Sequence, residues 1–201
     1  MSRLRGGLAA LLVAVVFLTG CASPADRGSV GDRTAAAPAP SGPPCMPPAS
    51  STAGAPSGSA TGPSLNLTLP CFTGGQPVRL SKLGTPAVIN LWASWCGPCR
   101  TELPELQRFA DRAAGRVQVV GVITSDPNRG GAQSLIDDLK LRFPMLYDGQ
   151  AKLQAQIGPP VAMPTTLLVD AGGRVAYRHS ARPLDEAALA DLVRQHLGVA
   201  V

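Results

Sequence analysis

The chain has 201 residues, with 18 Lys and Arg against 13 Asp and Glu and a formal net charge of +5. That length suits one domain of ordinary size or two small ones, but 22 glycines and 20 prolines are too much punctuation to spread evenly through one compact fold. Hydrophobic residues at 45% with aromatics at only 4% point to a core of Leu, Val, Ala and Ile, and five cysteines are too few for a disulfide-scaffold miniprotein.

Arg3 and Arg5 precede an uncharged apolar run of 11 residues, Leu8 to Leu18. A bilayer-spanning helix needs about 20 residues, so the run reads as the core of a signal peptide. It ends in Leu18-Thr19-Gly20-Cys21, which resembles a bacterial lipobox. That resemblance implies cleavage after residue 20, lipidation of Cys21 and anchoring without a membrane span. An ordinary signal peptide with a chance cysteine is the alternative. Of the 43 residues from Ala22 to Ser64, 33 are Ala, Pro, Gly or Ser, and Val30 is the single β-branched aliphatic. Such a stretch buries too little apolar surface to offset its ordering entropy. Residues 1–20 therefore read as a leader, 21–64 as a tether and 65–201 as one folded domain.

The domain carries 14 Lys and Arg against 11 Asp and Glu, a net charge of +3, because the leader takes two positive charges and the tether balances. Basic runs with interleaved aromatics are lacking, so nucleic acid is not an expected partner. In chain order, Leu65 to Leu69 and Val78 to Leu80 read as short strands around the Gly74-Gly75 turn. Ala87 to Leu91 is an apolar run of buried-strand length. From Arg100 to Ala114, Leu103, Leu106, Phe109, Ala110 and Ala113 recur at helical spacing, and Gly115 closes the helix. Val117 to Thr124 reads as a second buried strand, Arg129-Gly130-Gly131 as a loop and Gln133 to Leu141 as a helix. Thr165 to Val169 and Val175 to Tyr177 flank the turn Asp170-Ala171-Gly172-Gly173, and Leu184 to Leu197 is a closing amphipathic helix. Strand–helix–strand, then a hairpin, then a helix predicts an α/β sandwich with a mixed sheet.

The chemistry concentrates in Trp95-Cys96-Gly97-Pro98-Cys99. Two cysteines separated by two residues serve metal ligation or redox exchange. A structural zinc site would need a second ligand pair, whereas Cys45, Cys71, His179 and His196 are each isolated, so no metal is expected. The redox reading fits the placement: a buried strand enters the motif and an amphipathic helix leaves it. Cys96 then sits at a helix N-terminus, where free N–H groups and the dipole stabilise a thiolate, the species that attacks a disulfide. Cys99, one turn on, would resolve the mixed disulfide. Pro98 suits a first helical turn because its missing N–H would go unpaired there anyway, and Gly97 allows another backbone to approach. Trp95 reads as a packing and substrate-surface residue, and His179 and His196 as non-catalytic.

The segment from Asn90 to Arg100 resembles the active-site segment of the thioredoxin superfamily, Pro104 resembles its helix-kinking proline, and Met163-Pro164-Thr165-Thr166 resembles its cis-proline loop. The resemblance implies a thioredoxin fold: a three-layer α/β/α sandwich with a mixed central sheet. It also implies that the Met163–Pro164 bond is cis, with the Met163 backbone offering hydrogen bonds to a substrate peptide. Thioredoxins carry an aspartate six residues before the first active-site cysteine, where this chain has Asn90, while a carboxylate stands at Glu102. That pattern, with Glu-Leu-Pro after the motif, resembles exported thiol reductases of the TlpA, ResA and DsbE type. These carry an additional helix and strand in mid-fold, for which Asp126 to Pro160 is long enough. Glu102, three residues after Cys99, shares its helix face; partly buried, it would have a raised pKa and could exchange a proton with the Cys99 thiol. A solvated first-turn glutamate is the alternative.

Cys45 and Cys71 remain, and in an oxidising compartment two leftover cysteines usually pair. A structural Cys45–Cys71 disulfide that pins the tether is expected; a second redox pair feeding Cys96–Cys99 is the alternative. The expected function is a lipid-anchored, extracytoplasmic thiol–disulfide oxidoreductase that reduces exported proteins, with apocytochrome c a client class implied by the resemblance. Electrons would come from an integral-membrane thiol donor, and no cofactor is expected. The alternatives are an oxidase of the same fold, a non-catalytic binding lipoprotein, and a peroxiredoxin-like peroxidase, for which Ser94-Trp95-Cys96 lacks the required threonine.

Overall fold

A computed structural model describes residues 45–46, 60–159 and 162–201. The leader, Cys21 and most of the expected tether lie outside the described residues. The elements in chain order are β1 (Thr68–Leu69), β2 (Val78–Arg79), a 3-10 turn (Leu80–Lys82), β3 (Ala87–Trp92), α1 (Gly97–Ala113), β4 (Gln118–Thr124) and α2 (Arg129–Asp138). They continue with β5 (Met145–Asp148), α3 (Lys152–Ile157), β6 (Thr165–Val169), β7 (Val175–Ser180) and α4 (Glu186–Leu197). No described helix is long and apolar enough to cross a membrane.

The main sheet has the order β5-β4-β3-β6-β7, with β3, β4 and β5 parallel and β6 and β7 antiparallel to their neighbours. β3 is its centre and all six of its residues are buried, because both faces of the sheet are covered. Val88 and Trp92 pack with α1, α2 and α4, whereas Ala87, Ile89 and Leu91 pack with Leu65, Leu69, Leu80 and Leu153 on the opposite face. This alternation follows from the two-residue period of a strand. Gly121 of β4 lies opposite Asn90, and a Cβ there would fall within 2.4 Å of Met145 Sδ and 3.0 Å of Trp92 Nε1. Its bare Cα lets the Trp92 indole cross beneath the helices. The layers and mixed sheet are those the thioredoxin resemblance implies, and α2 with β5 forms the mid-fold addition.

Several elements differ from the sequence reading. The Arg129-Gly130-Gly131 stretch is the opening of α2 rather than a loop, because Asn128 Oδ1 accepts the Gly131 N–H at 2.8 Å and starts the helix early. α1 begins at Gly97 rather than Arg100, so Gly97, Pro98 and Cys99 form its first turn. β5 and α3 carry too little apolar periodicity to be read locally. The segment ahead of β1 pairs with the domain at the β7 edge: the Ala60 carbonyl accepts from Arg174 Nε at 2.8 Å, and Pro63 O accepts the Val175 N–H at 3.0 Å. Further along the same segment, Pro70 O accepts the Tyr147 N–H and Met145 O accepts the Phe72 N–H, at 2.9 and 2.8 Å. The segment from Ala60 to Phe72 thus crosses one face of the sheet and closes backbone groups at both edges, where an unpaired strand would invite association.

Candidate functional site

Cys96 and Cys99 are joined by a disulfide at the point where β3 ends and α1 begins. Cys96 is the N-cap residue, in an extended conformation, and its Sγ accepts the Cys99 N–H at 3.2 Å. The first-turn N–H groups have no intrahelical acceptors, so the same geometry would stabilise a Cys96 thiolate. Cys96 N–H bonds to Ala93 O at 3.1 Å, which closes the turn between strand and helix. Pro98 occupies the first helical turn, while Gly97 is exposed with nothing within 4 Å of where a Cβ would stand. Trp95 is 59% exposed beside the disulfide, and its indole N–H reaches Ser125 O at 3.3 Å.

Glu102 lies one turn beyond Cys99 and is 1% exposed. Oε2 accepts from Asn90 Nδ2 at 2.7 Å; Oε1 accepts from Thr166 Oγ1 at 3.1 Å and from the Leu184 N–H at 3.2 Å. Desolvation raises its pKa; the Leu184 N–H, Asn90, Thr166 and the His179 charge pull in the opposite direction without overcoming it. Asn90 Nδ2 also bonds Thr166 Oγ1 at 2.9 Å, while Asn90 Oδ1 is buried with no donor. The carboxyl is therefore lodged behind the CxxC turn by three elements, β3, β6 and the loop before α4.

The Met163–Pro164 bond is cis. Antiparallel pairing sets Leu91 opposite Thr165, so Met163 and Pro164 reach the end of β3 from which the CxxC turn departs, and Met163 packs against the cluster that holds both cysteines. Cys45 and Cys71 form a second disulfide with Cα atoms 5.8 Å apart. Cys71 makes an antiparallel bridge to Leu146 and Cys45 Sγ lies 3.5 Å from Met145 O, so this bridge sits along the β5 edge. Cys21 lies outside the described residues. His196 stacks on Tyr177 with ring centroids 4.2 Å apart, and His179 Nε2 lies 3.0 Å from Arg182 O.

Three participants were missed by the sequence reading. Thr166 carries no local sign of a role beyond the proline loop, and Leu184 contributes a backbone N–H that no side chain reveals. Asp126, in the loop after β4, accepts the Ser94 N–H on Oδ2 at 2.6 Å. An aspartate ahead of Pro127-Asn128 looks like ordinary turn chemistry, and nothing local indicates that it reaches the CxxC turn.

Three comparisons bear on this arrangement. The Redoxin family model matches residues 52–193. The chain is 27% identical over 104 residues to sporulation thiol-disulfide oxidoreductase A of Bacillus subtilis, covering 50% of this chain and 62% of that one. It is 36% identical over 97 residues to thiol:disulfide interchange protein DsbE of Yersinia pestis, covering 48% and 50%. The match thus spans about half to three fifths of these curated relatives. Among solved structures, a secreted Mycobacterium tuberculosis disulfide oxidoreductase described as homologous to Escherichia coli DsbE aligns with a TM-score of 0.57 and 26% identity, over 65% of this chain and 96% of that one.

Proposed function

The chain belongs to the Redoxin family, and from that footing we propose that it is a lipid-anchored, extracytoplasmic thiol–disulfide oxidoreductase that reduces exported proteins through Cys96 and Cys99. The observation that carries this reading is the cysteine pair at the N-terminus of α1, with Cys96 as the cap, Cys99 buried and a buried carboxyl one turn behind. In the reducing direction the Cys96 thiolate attacks one sulfur of a substrate disulfide, forming a mixed disulfide and expelling the other substrate sulfur as thiolate. Cys99 loses its proton to Glu102 and attacks Cys96 Sγ. That closes Cys96–Cys99 and releases the second substrate sulfur, so two electrons pass from the dithiol to the substrate. An integral-membrane thiol donor would return them. Trp95, exposed beside the disulfide, and the Met163 backbone, at the same end of β3, would hold an extended substrate peptide. Apocytochrome c is a client class consistent with the resemblance to DsbE- and ResA-type reductases. Cys21 is the proposed anchor and Cys45–Cys71 the proposed structural bridge, with residues 1–20 removed and 21–64 serving largely as tether.

Equilibration with glutathione tests the direction of transfer. A potential near that of thioredoxin, ~−270 mV, is expected for a reductant, and one near ~−120 mV would mark an oxidant and overturn the reductase reading.

Glu102→Gln tests the proton path. A carboxyl whose folded pKa is raised contributes stability below its unfolded value, and that contribution drains away as pH rises through the folded value. The substitution removes the group that must ionise in the buried site as pH rises, so the melting temperature of the variant should fall less with rising pH than that of the parent. The unpartnered Asn90 Oδ1 can turn to receive the new amide. Disulfide exchange should nevertheless slow by about 10²-fold near neutral pH, the usual size of a general-base contribution. An unchanged pH–rate profile would remove Glu102 from the mechanism.

A further inference from the structure

We propose that Asp126 is a positioning residue that holds the CxxC turn in its disulfide-ready shape and so sets the potential of the Cys96–Cys99 couple. The inference rests on the redox reading of that pair. Asp126 is a side chain from the β4–α2 loop, 1% exposed, with both carboxylate oxygens engaged by backbone. Oδ2 accepts the Ser94 N–H at 2.6 Å and Oδ1 accepts the Asn128 N–H at 3.0 Å. The opposite side of the Ser94 residue is also held, because Arg100 Nη2 donates to Ser94 O at 3.0 Å. Ser94 stands two residues before Cys96, inside the turn that Cys96 N–H closes onto Ala93 O.

The loop that carries Asp126 is itself fastened. Tyr147 OH donates to Asp126 O at 2.9 Å, and Trp95 Nε1 donates to the neighbouring Ser125 O. Three residues on, the Arg129 guanidinium lies 4.6 Å from the Phe72 ring centroid and 4.2 Å from that of Tyr147, and donates to Phe72 O at 3.0 Å. Phe72 follows Cys71, so the clamp is tied through the β5 edge to the second disulfide. The carboxylate is thus aimed at the redox turn by a rigid scaffold rather than by a free loop.

The consequence is thermodynamic. While Cys96–Cys99 is closed, the disulfide itself orders the turn. When the pair is reduced, Asp126 keeps the turn ordered, so that reclosure costs little backbone freedom. Without Asp126 the dithiol gains freedom that closure must remove. That favours the reduced form, so the potential moves upward. Ordering the backbone of one residue corresponds to about tenfold in an equilibrium constant.

The test uses Asp126→Ala and the near-isosteric Asp126→Asn, each equilibrated with glutathione and scored by peptide mapping of Cys96–Cys99, with circular dichroism as the check on folding. The expected result is a fall of about tenfold in the equilibrium constant for closing the disulfide in Asp126→Ala, which is about 30 mV toward the oxidising side. Asp126→Asn, which keeps one acceptor, should shift in the same direction by less. If the alanine variant fails to fold, the asparagine variant decides. A folded variant that retains the parent constant, whatever its melting temperature, overturns the role of Asp126 and leaves the redox reading intact. A parent couple that does not equilibrate with glutathione at all overturns the redox reading and this inference with it.

Discussion

Cys99→Ala is expected to abolish catalytic reduction of insulin by the protein while leaving Cys96 able to attack. Cys96 is the cap whose environment favours a thiolate, and Cys99 is wholly buried behind it. Removing Cys99 therefore spares the first step and stops the second. The mixed disulfide that forms has no internal nucleophile to resolve it and accumulates as a species that mass spectrometry detects. A well-placed intramolecular group acts at an effective concentration on the order of 10⁵ M or more, so millimolar external thiol is a poor substitute and turnover should fall by more than about 10³-fold. Cys96→Ala should instead leave neither turnover nor a trapped adduct. Equal insulin reduction by the parent and Cys99→Ala would remove the oxidoreductase reading altogether.

The second large effect is on stability. Cys45→Ser with Cys71→Ser opens a bridge between residues 26 apart in sequence. The chain-entropy model gives about 3–4 kcal/mol for a loop of that size, a large part of the net stability of a single domain. The melting temperature of the double variant should fall by about 10 °C or more, while insulin reduction below the transition persists. The bridge joins Cys45 to the residue that pairs with Leu146, so its loss also frees the Pro70–Phe72 cover of the β5 edge, and the unfolded material should aggregate more readily. Graded reduction supplies the counter-test. The Cys45–Cys71 bridge should stay closed at thiol concentrations that open Cys96–Cys99, and a bridge that opens as easily would assign it to electron transfer.

The parts of the fold that could be read without coordinates are those where local sequence carries a complete signal. β3 is a run of apolar residues, and α1 shows its buried stripe at helical spacing behind a proline suited to a first turn, so the strand–CxxC–helix unit follows from residues 87–113 alone. β5 has four residues, Met145 to Asp148, and no alternation. It is a strand because Gly121 to Thr124 lies on one side and Pro70 to Phe72 on the other. Apolar spacing alone starts α2 several residues late, because its glycines hide a helix start that the Asn128 cap supplies.

The site divides along the same line. The amino-acid sequence by itself determines the dithiol, its position at a helix N-terminus and the carboxyl one turn behind Cys99, because each depends on separations of only a few residues. Tertiary structure alone decides how deeply Glu102 is buried and by whom. Its partners come from residues 90, 166 and 184, brought together by β3–β6 pairing and the docking of α4. It alone sends Asp126 across to Ser94 and gives the expected Cys45–Cys71 bridge its place along the β5 edge. The physical reason is range: helix spacing and capping act within one or two turns of chain, whereas desolvation and backbone clamps depend on which distant surfaces the core has already forced together.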